Sequence, residues 1–303
     1  MRRNSTLARL SRLKLIVVTG KGGVGKSTVA AILGRLLSDS GRQTLLVEVD
    51  PRENLHHLLD VPPSGGEMAE VTPHLRVQHL LPRVILDDLV REKLKVGPLV
   101  KRVLASPIHQ HFTEAAPGLK EAAVFGRCLR LLEGHTPRGV PTPDIIVLDA
   151  PATGHGASWL AAAQLVSDVI SSGPIGHMAS LVAEFLADTE RSGVVVVTAG
   201  EEMPVQETLE FLETMKTRLN RRPELVVANA LYPQLPDDAK ARPEDPLFDL
   251  WKSRRTINDK ELERLQRQWD GPLAHLPLLP LDPGPALIGR LGRKLLAGLG
   301  GGV

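Results

Sequence analysis

Three features of this chain predict a doubly wound, mostly parallel α/β sheet with an inserted helical subdomain. The first is a short apolar run, Leu15-Ile16-Val17-Val18, followed by Gly20-Lys21-Gly22-Gly23-Val24-Gly25-Lys26-Ser27-Thr28. Apolar residues at helical spacing come next: Val29, Ile32, Leu33, Leu36 and Leu37. The second is the recurrence of apolar runs that end in a polar residue: before Asp50, before Asp149 and before Asn229. Buried parallel strands read as near-continuous apolar runs and deliver side chains to the ligand edge of the sheet. The third is a mostly helical stretch from Pro82 to about Gly134, punctuated by Pro98, Pro107 and Pro117 and too long for one crossover.

The bulk composition sets limits. A chain of 303 residues with 42% hydrophobic and 24% charged residues suits one large domain with an insertion. The net charge of +2 makes no case for nucleic acid. One cysteine, Cys128, excludes an intrachain disulfide and any C-x-x-C metal site, and fits a reducing, cytoplasmic setting. The apolar run at residues 15–18 is too short for the core of a signal peptide. No run approaches the ~18–20 apolar residues of a membrane-spanning helix. Residues 1–13 read as a basic, partly ordered tail. Residues 14–303 read as a single domain, with the insertion at about 82–135 and accessory helices at about 158–190.

Strand, glycine loop and helix together turn G-x-x-x-x-G-K-[ST] into a phosphate-binding loop. Glycine backbone freedom lets the N–H groups of residues 20–28 point at phosphate oxygens, and the helix N-terminus adds its positive end. Lys26 would reach the β- and γ-phosphates, and the Ser27 hydroxyl would bind Mg²⁺. A strand at 43–49 ends at Asp50-Pro51, where a carboxylate can orient a water; Asn54 and Leu55 follow. Asp144 to Asp149 reads as a strand whose terminal Asp149 would hold Mg²⁺ through water. Thr153, Gly154 and His155 follow as a candidate switch around a flexible glycine.

Other residues carry less. Residues 61–73, rich in Pro, Gly and Ser, read as loop. Adjacent His56 and His57 point apart on a helix, which makes a poor metal pair, and read as solvated. His109 and His111 lack a neighbouring carboxylate or cysteine at ligand spacing. The last helix, from Pro285, is basic on one side and apolar on the other. It reads either as docked on the sheet or as a peripheral membrane contact.

The phosphate loop with a second lysine, Lys21, resembles the deviant Walker A loop of the MinD/ParA, nitrogenase iron-protein and arsenite-pump ATPases. Asp50-Pro51, Asn54-Leu55, the stretch Ala116 to Glu121, and Asp149 with Thr153-Gly154-His155 narrow the resemblance to the ArsA/guided-entry ATPase family. Arg52 and Glu53 depart from its first switch, and the Ala150/Pro151 order departs from its second. The resemblance implies a P-loop NTPase fold and Mg²⁺-dependent ATP hydrolysis in a homodimer that opens and closes with nucleotide. It implies that Lys21 reaches the partner's nucleotide and that Asp50 orients the attacking water and touches the Mg²⁺ shell. It also implies that Asn229 contacts adenine, with Pro280 and Leu281 flanking the base. The partner it implies is a membrane protein or hydrophobic client. The guided-entry zinc clasp is absent, and so is the arsenite pump's tandem second unit. Two alternatives stay open: a MinD/ParA-like positioning switch on membrane or DNA, and a nucleotide-binding scaffold that does not hydrolyse.

Overall fold

A computed structural model describes residues 4–50, 54–94, 97–107, 118–151, 162, 165, 166, 168, 173–234 and 246–299. Its strands are β1 (Leu15–Gly20), β2 (Thr44–Glu48), β3 (Met68–Thr72), β4 (Leu75–His79), β5 (Ile145–Asp149), β6 (Ser192–Ala199), β7 (Leu225–Leu231) and β8 (Leu273–Pro277). They form one eight-stranded sheet in the order β3-β4-β2-β5-β1-β6-β7-β8. Every pairing is parallel except the β3–β4 hairpin. The sheet is therefore doubly wound and mostly parallel, with β1 at the point where the strand order reverses.

The described helices are α1 (Asn4–Arg12), α2 (Lys26–Asp39), α3 (Asn54–Leu59), α4 (Pro82–Leu94), α5 (Gly97–Leu104), α6 (Leu119–Leu132), α7 (Gly173–Ala187), α8 (Glu202–Arg218), α9 (Pro246–Gln268) and α10 (Pro285–Gly298). Alternation along each strand sorts them into two layers. Ile16, Val18, Leu46, Val147, Val195 and Val227 face a core shared with α2, α3 and α10. Leu15, Val17, Leu45, Val47, Ile146, Leu148, Val194 and Val196 face a core shared with α4, α6, α7 and α8. Helices α4, α5 and α6 all lie between β4 and β5 in the chain.

Several expectations need correction. Residues 4–12, read as tail, form α1. Leu10 and Leu13 sit three apart on one side and are buried, while Arg9 pairs with Glu224 at 2.6 Å and Glu190 at 3.1 Å. Residues 68–72, read as loop, form β3. Four of its five residues are half-buried and Glu70 is exposed, so no period-two pattern marked it. His56 is not solvated but 2% exposed, because α3 packs on both α2 and α10 and buries His56 along with Leu55 and Leu59. His57 is exposed. Helix α9 runs from Pro246 to Gln268, although no long apolar stripe marks it in the sequence. Its outer face is polar, with ion pairs Arg255–Asp259 and Arg267–Glu263, which hides the apolar stripe.

Helix α10 buries Ile288, Leu291 and Leu295 against α2 and β8. The stripe that a membrane-surface helix would need is therefore used inside the fold, while Arg290, Arg293 and Lys294 remain outside. Among the described residues, no helix is long and apolar enough to cross a membrane. His109, His111, Ala116, Pro117 and most of the helix expected at 158–170 lie outside the described residues.

Candidate functional site

Strand order brings distant parts of the chain together at one edge. β5 lies between β1 and β2, and Asp149 is in register with Val18 on one side and Glu48 on the other. The segments after Gly20, Glu48 and Asp149 therefore leave the sheet side by side. All three strands run the same way, so these are their carboxyl ends, where ligands bind in doubly wound sheets.

Loop 20–28 is held by close contacts. Gly20 ends β1 at φ +152°, and a Cβ there would collide with the Val197 carbonyl on β6. Gly25 adopts φ +91° as the residue before α2, and a Cβ there would collide with the Asn229 amide. Only glycine meets both demands at that position. Asn229, buried two residues before the end of β7, donates from Nδ2 to the Val24 carbonyl at 3.0 Å and so braces the loop. Gly22 and Gly23 are exposed, while Val24 is buried and anchors the loop from below. The first turn of α2 has no side-chain cap, so its N–H groups face the loop.

The charges are concentrated. Lys26 is buried, and its Nζ donates to the Lys21 carbonyl at 3.1 Å. Burial lowers its pKa, while Asp149 and Asp50 oppose that shift. Asp149 is 3% exposed. Burial pushes its carboxyl up to about 6, against the pull of a hydrogen bond from Ser27 and the charge of Lys26. Its Oδ1 atom is buried with no hydrogen-bond partner among the described residues. Asp50, half-buried, lies close enough to influence Lys26, Glu48 and Asp149 electrostatically.

Two residues that sequence reasoning gave no chemistry belong to this edge. Glu48, fully buried at the end of β2, accepts hydrogen bonds from the backbone N–H of Asn54 (2.8 Å) and Leu55 (3.2 Å). Burial pushes its carboxyl up to about 8. A lone acid inside an apolar strand was its only signal. Glu207 on α8 pairs with Lys21 at 2.6 Å, both side chains about a third exposed. Its partner lies 186 positions away, beyond the reach of any local pattern.

The remaining candidates divide. Asn54 opens α3 and Thr28 lies in the first turn of α2. Pro280, exposed, and Leu281, half-buried, sit on the loop between β8 and α10, three strands from β1. Thr153, Gly154 and His155 lie outside the described residues. Cys128 is buried on α6, and burial pushes its thiol up to about 12, so it offers no reactive thiolate.

These residues suit a nucleoside triphosphate with Mg²⁺. The loop N–H groups and Lys26 match phosphate oxygens. The unsatisfied Asp149 Oδ1 beside the Ser27 hydroxyl is a hard-oxygen pair of the kind Mg²⁺ takes together with phosphate. Among the described residues no three His, Cys, Asp or Glu side chains converge as a metal cage.

Residues 13–173 match the family described as anion-transporting ATPase. Over 216 residues the chain is 34% identical to ATPase BagA of Mycobacterium tuberculosis, covering 69% of this chain and 62% of that one. Over 272 residues it is 27% identical to an arsenical pump-driving ATPase of Escherichia coli, covering 89% of this chain and 42% of that one. Over 144 residues it is 29% identical to ATPase ASNA1 homolog 2 of Paramecium tetraurelia, covering 47% of this chain and 42% of that one. In each case the match spans less than two thirds of the relative's own length.

Proposed function

The chain belongs to the anion-transporting ATPase family, and we propose that it hydrolyses ATP with Mg²⁺ and couples turnover to the opening and closing of a homodimer. The observation that carries this reading is the meeting of Lys26, Ser27, Asp149 and Asp50 at one edge. Ser27 and Asp149 would hold Mg²⁺, which neutralises charge on the phosphates when bound. Lys26 and the N-terminus of α2 would fix the β- and γ-phosphates. Asp50 would hold a water in line with the γ-phosphorus. The water oxygen forms the new bond, the bond to the bridging oxygen breaks, and ADP leaves with phosphate. Asn229 would meet adenine through the part of its amide not given to Val24, with Pro280 and Leu281 beside the base.

Lys21 would act across the dimer on the partner's nucleotide, as a charge supplied in trans. Its side chain, about a third exposed beside Glu207, supports a lysine at the surface of this edge that would exchange Glu207 for the partner's phosphates. Thr153, Gly154 and His155 would form the second switch.

The role we assign to turnover is driving or carrying a membrane-protein partner. A cavity of about 350 Å³ between α4 and α6 supports this; Leu81, Val84, Ile85, Leu89 and Met178 line its apolar part. Leu81 and Val84 are 41% and 48% exposed at its rim. Phosphate release tests the core of the proposal. Release should require Mg²⁺ and fall to background in Asp50→Asn, with nucleotide still bound. Turnover that survives Asp50→Asn would remove Asp50 from the mechanism. Binding without release in the wild type would leave a non-hydrolysing scaffold. Sedimentation with liposomes or DNA in ATP separates the positioning-switch alternative.

A further inference from the structure

We propose that Glu48 is the positioning residue for Asp50, clamping both ends of the segment that carries it. The inference rests on the ATPase reading above. Glu48 is the last residue of β2 and Asn54 the first of α3. The Glu48 carboxyl group reaches across that gap and takes the Asn54 N–H at 2.8 Å on Oε1. It takes the Leu55 N–H at 3.3 Å on Oε1 and 3.2 Å on Oε2. The opening turn of α3 is thus capped by a strand residue six positions upstream.

In the chain Asp50 lies between these two anchored points, two residues after Glu48 and four before Asn54. The outgoing end is fixed by the sheet, where Glu48 is in register with Asp149 and with His79. The backbone carbonyl of Glu48 also accepts the Leu80 N–H at 2.8 Å. The returning end is fixed by the cap. Glu48 is fully buried, so water does not compete for these bonds. A surface cap of ordinary reach would hold α3 alone. This one ties α3 to the strand beside Asp149, and so sets where Asp50 stands relative to Ser27 and Lys26.

Two measurements on the full chain test it. Hydrogen exchange at the Asn54 and Leu55 amides should be slow in the wild type and in Glu48→Gln, which keeps an acceptor oxygen, and fast in Glu48→Ala. Steady-state turnover should show kcat falling about 10- to 100-fold in Glu48→Ala while nucleotide affinity stays within about threefold. Glu48→Gln should recover most of that loss. In an Asp50→Asn background, Glu48→Ala should add little, because both changes remove one function. Unchanged exchange, or unchanged kcat beside a turning-over wild type, overturns the clamp. Equal loss of kcat and affinity reduces Glu48 to a structural role and also overturns it. If the wild type itself shows no turnover, the hydrolysis reading falls first and takes this proposal with it.

Discussion

The carboxyl edge of the sheet and the helices between β4 and β5 are built by different rules. At the edge, single atoms decide identity. Gly25 is held to glycine by a positive φ and by the Asn229 amide where a Cβ would stand. Asp149 is an acid kept buried beside a lysine and a serine. Across α4, α6 and α7 the demand is only for apolar bulk. Ile85, Leu86, Val124, Phe125, Val182 and Phe185 fill a shared core in which comparable hydrophobes would serve. Regions of the first kind announce their chemistry in sequence, and regions of the second announce only that they are buried.

Gly25→Ala should break the edge most severely. The new Cβ meets both the strained φ and the Asn229 amide, so the loop must move. We expect a stability loss of about 1–3 kcal/mol and nucleotide affinity down by on the order of 100-fold. Calorimetric titration with ADP and a thermal melt check both. The same change at Gly23, whose Cβ would point into open space, should cost only the positive-φ strain. Equal effects at the two sites would mean that φ alone, not the Asn229 brace, selects glycine at Gly25.

This contrast explains what was legible in sequence. The residues from Gly20 to Thr28, Asp50, Asp149 and the sheet class could be read because backbone geometry and charge leave few substitutes. Glu48 and Glu207 were passed over because their partners are set by tertiary approach. Glu48 is explained only by amide groups that α3 presents, and Glu207 only by the crossing of α8 near the loop. β3 was missed because an edge strand with half-buried residues carries no alternation. α1 was missed because its basic residues outweighed the spacing of Leu10 and Leu13.

Acidity sharpens the comparison next. The Glu48 carboxyl is raised from 4.5 to about 8 in the folded chain and the Asp149 carboxyl from 3.8 to about 6, burial being the main cause in both. A carboxyl with a raised folded value favours the fold when protonated. That contribution is complete below the unfolded value and is lost as pH rises through the folded one. The metal-free, nucleotide-free chain should therefore melt at falling temperature as pH rises from about 4 to about 8, with a change on the order of a few kcal/mol. Glu48→Gln should flatten the slope above about pH 6 and leave only Asp149's share of it below. A slope untouched by Glu48→Gln would place the titration elsewhere.

The smallest effect on chemistry is expected on the helical side. Val84 is nearly half exposed at the rim of the cavity between α4 and α6. Val84→Ser should shift stability by less than about 0.5 kcal/mol, the usual range for a surface change. Basal phosphate release should stay at the wild-type rate. If this face receives an apolar segment of a partner, the same variant should weaken capture of a detergent-solubilised membrane protein held by Asp50→Asn in Mg-ATP. A polar hydroxyl at the rim costs binding only where the rim is desolvated on docking. A Val84→Ser chain that loses turnover would tie the two regions more closely than their separate cores imply. One that keeps both turnover and capture would move the docking surface off this rim.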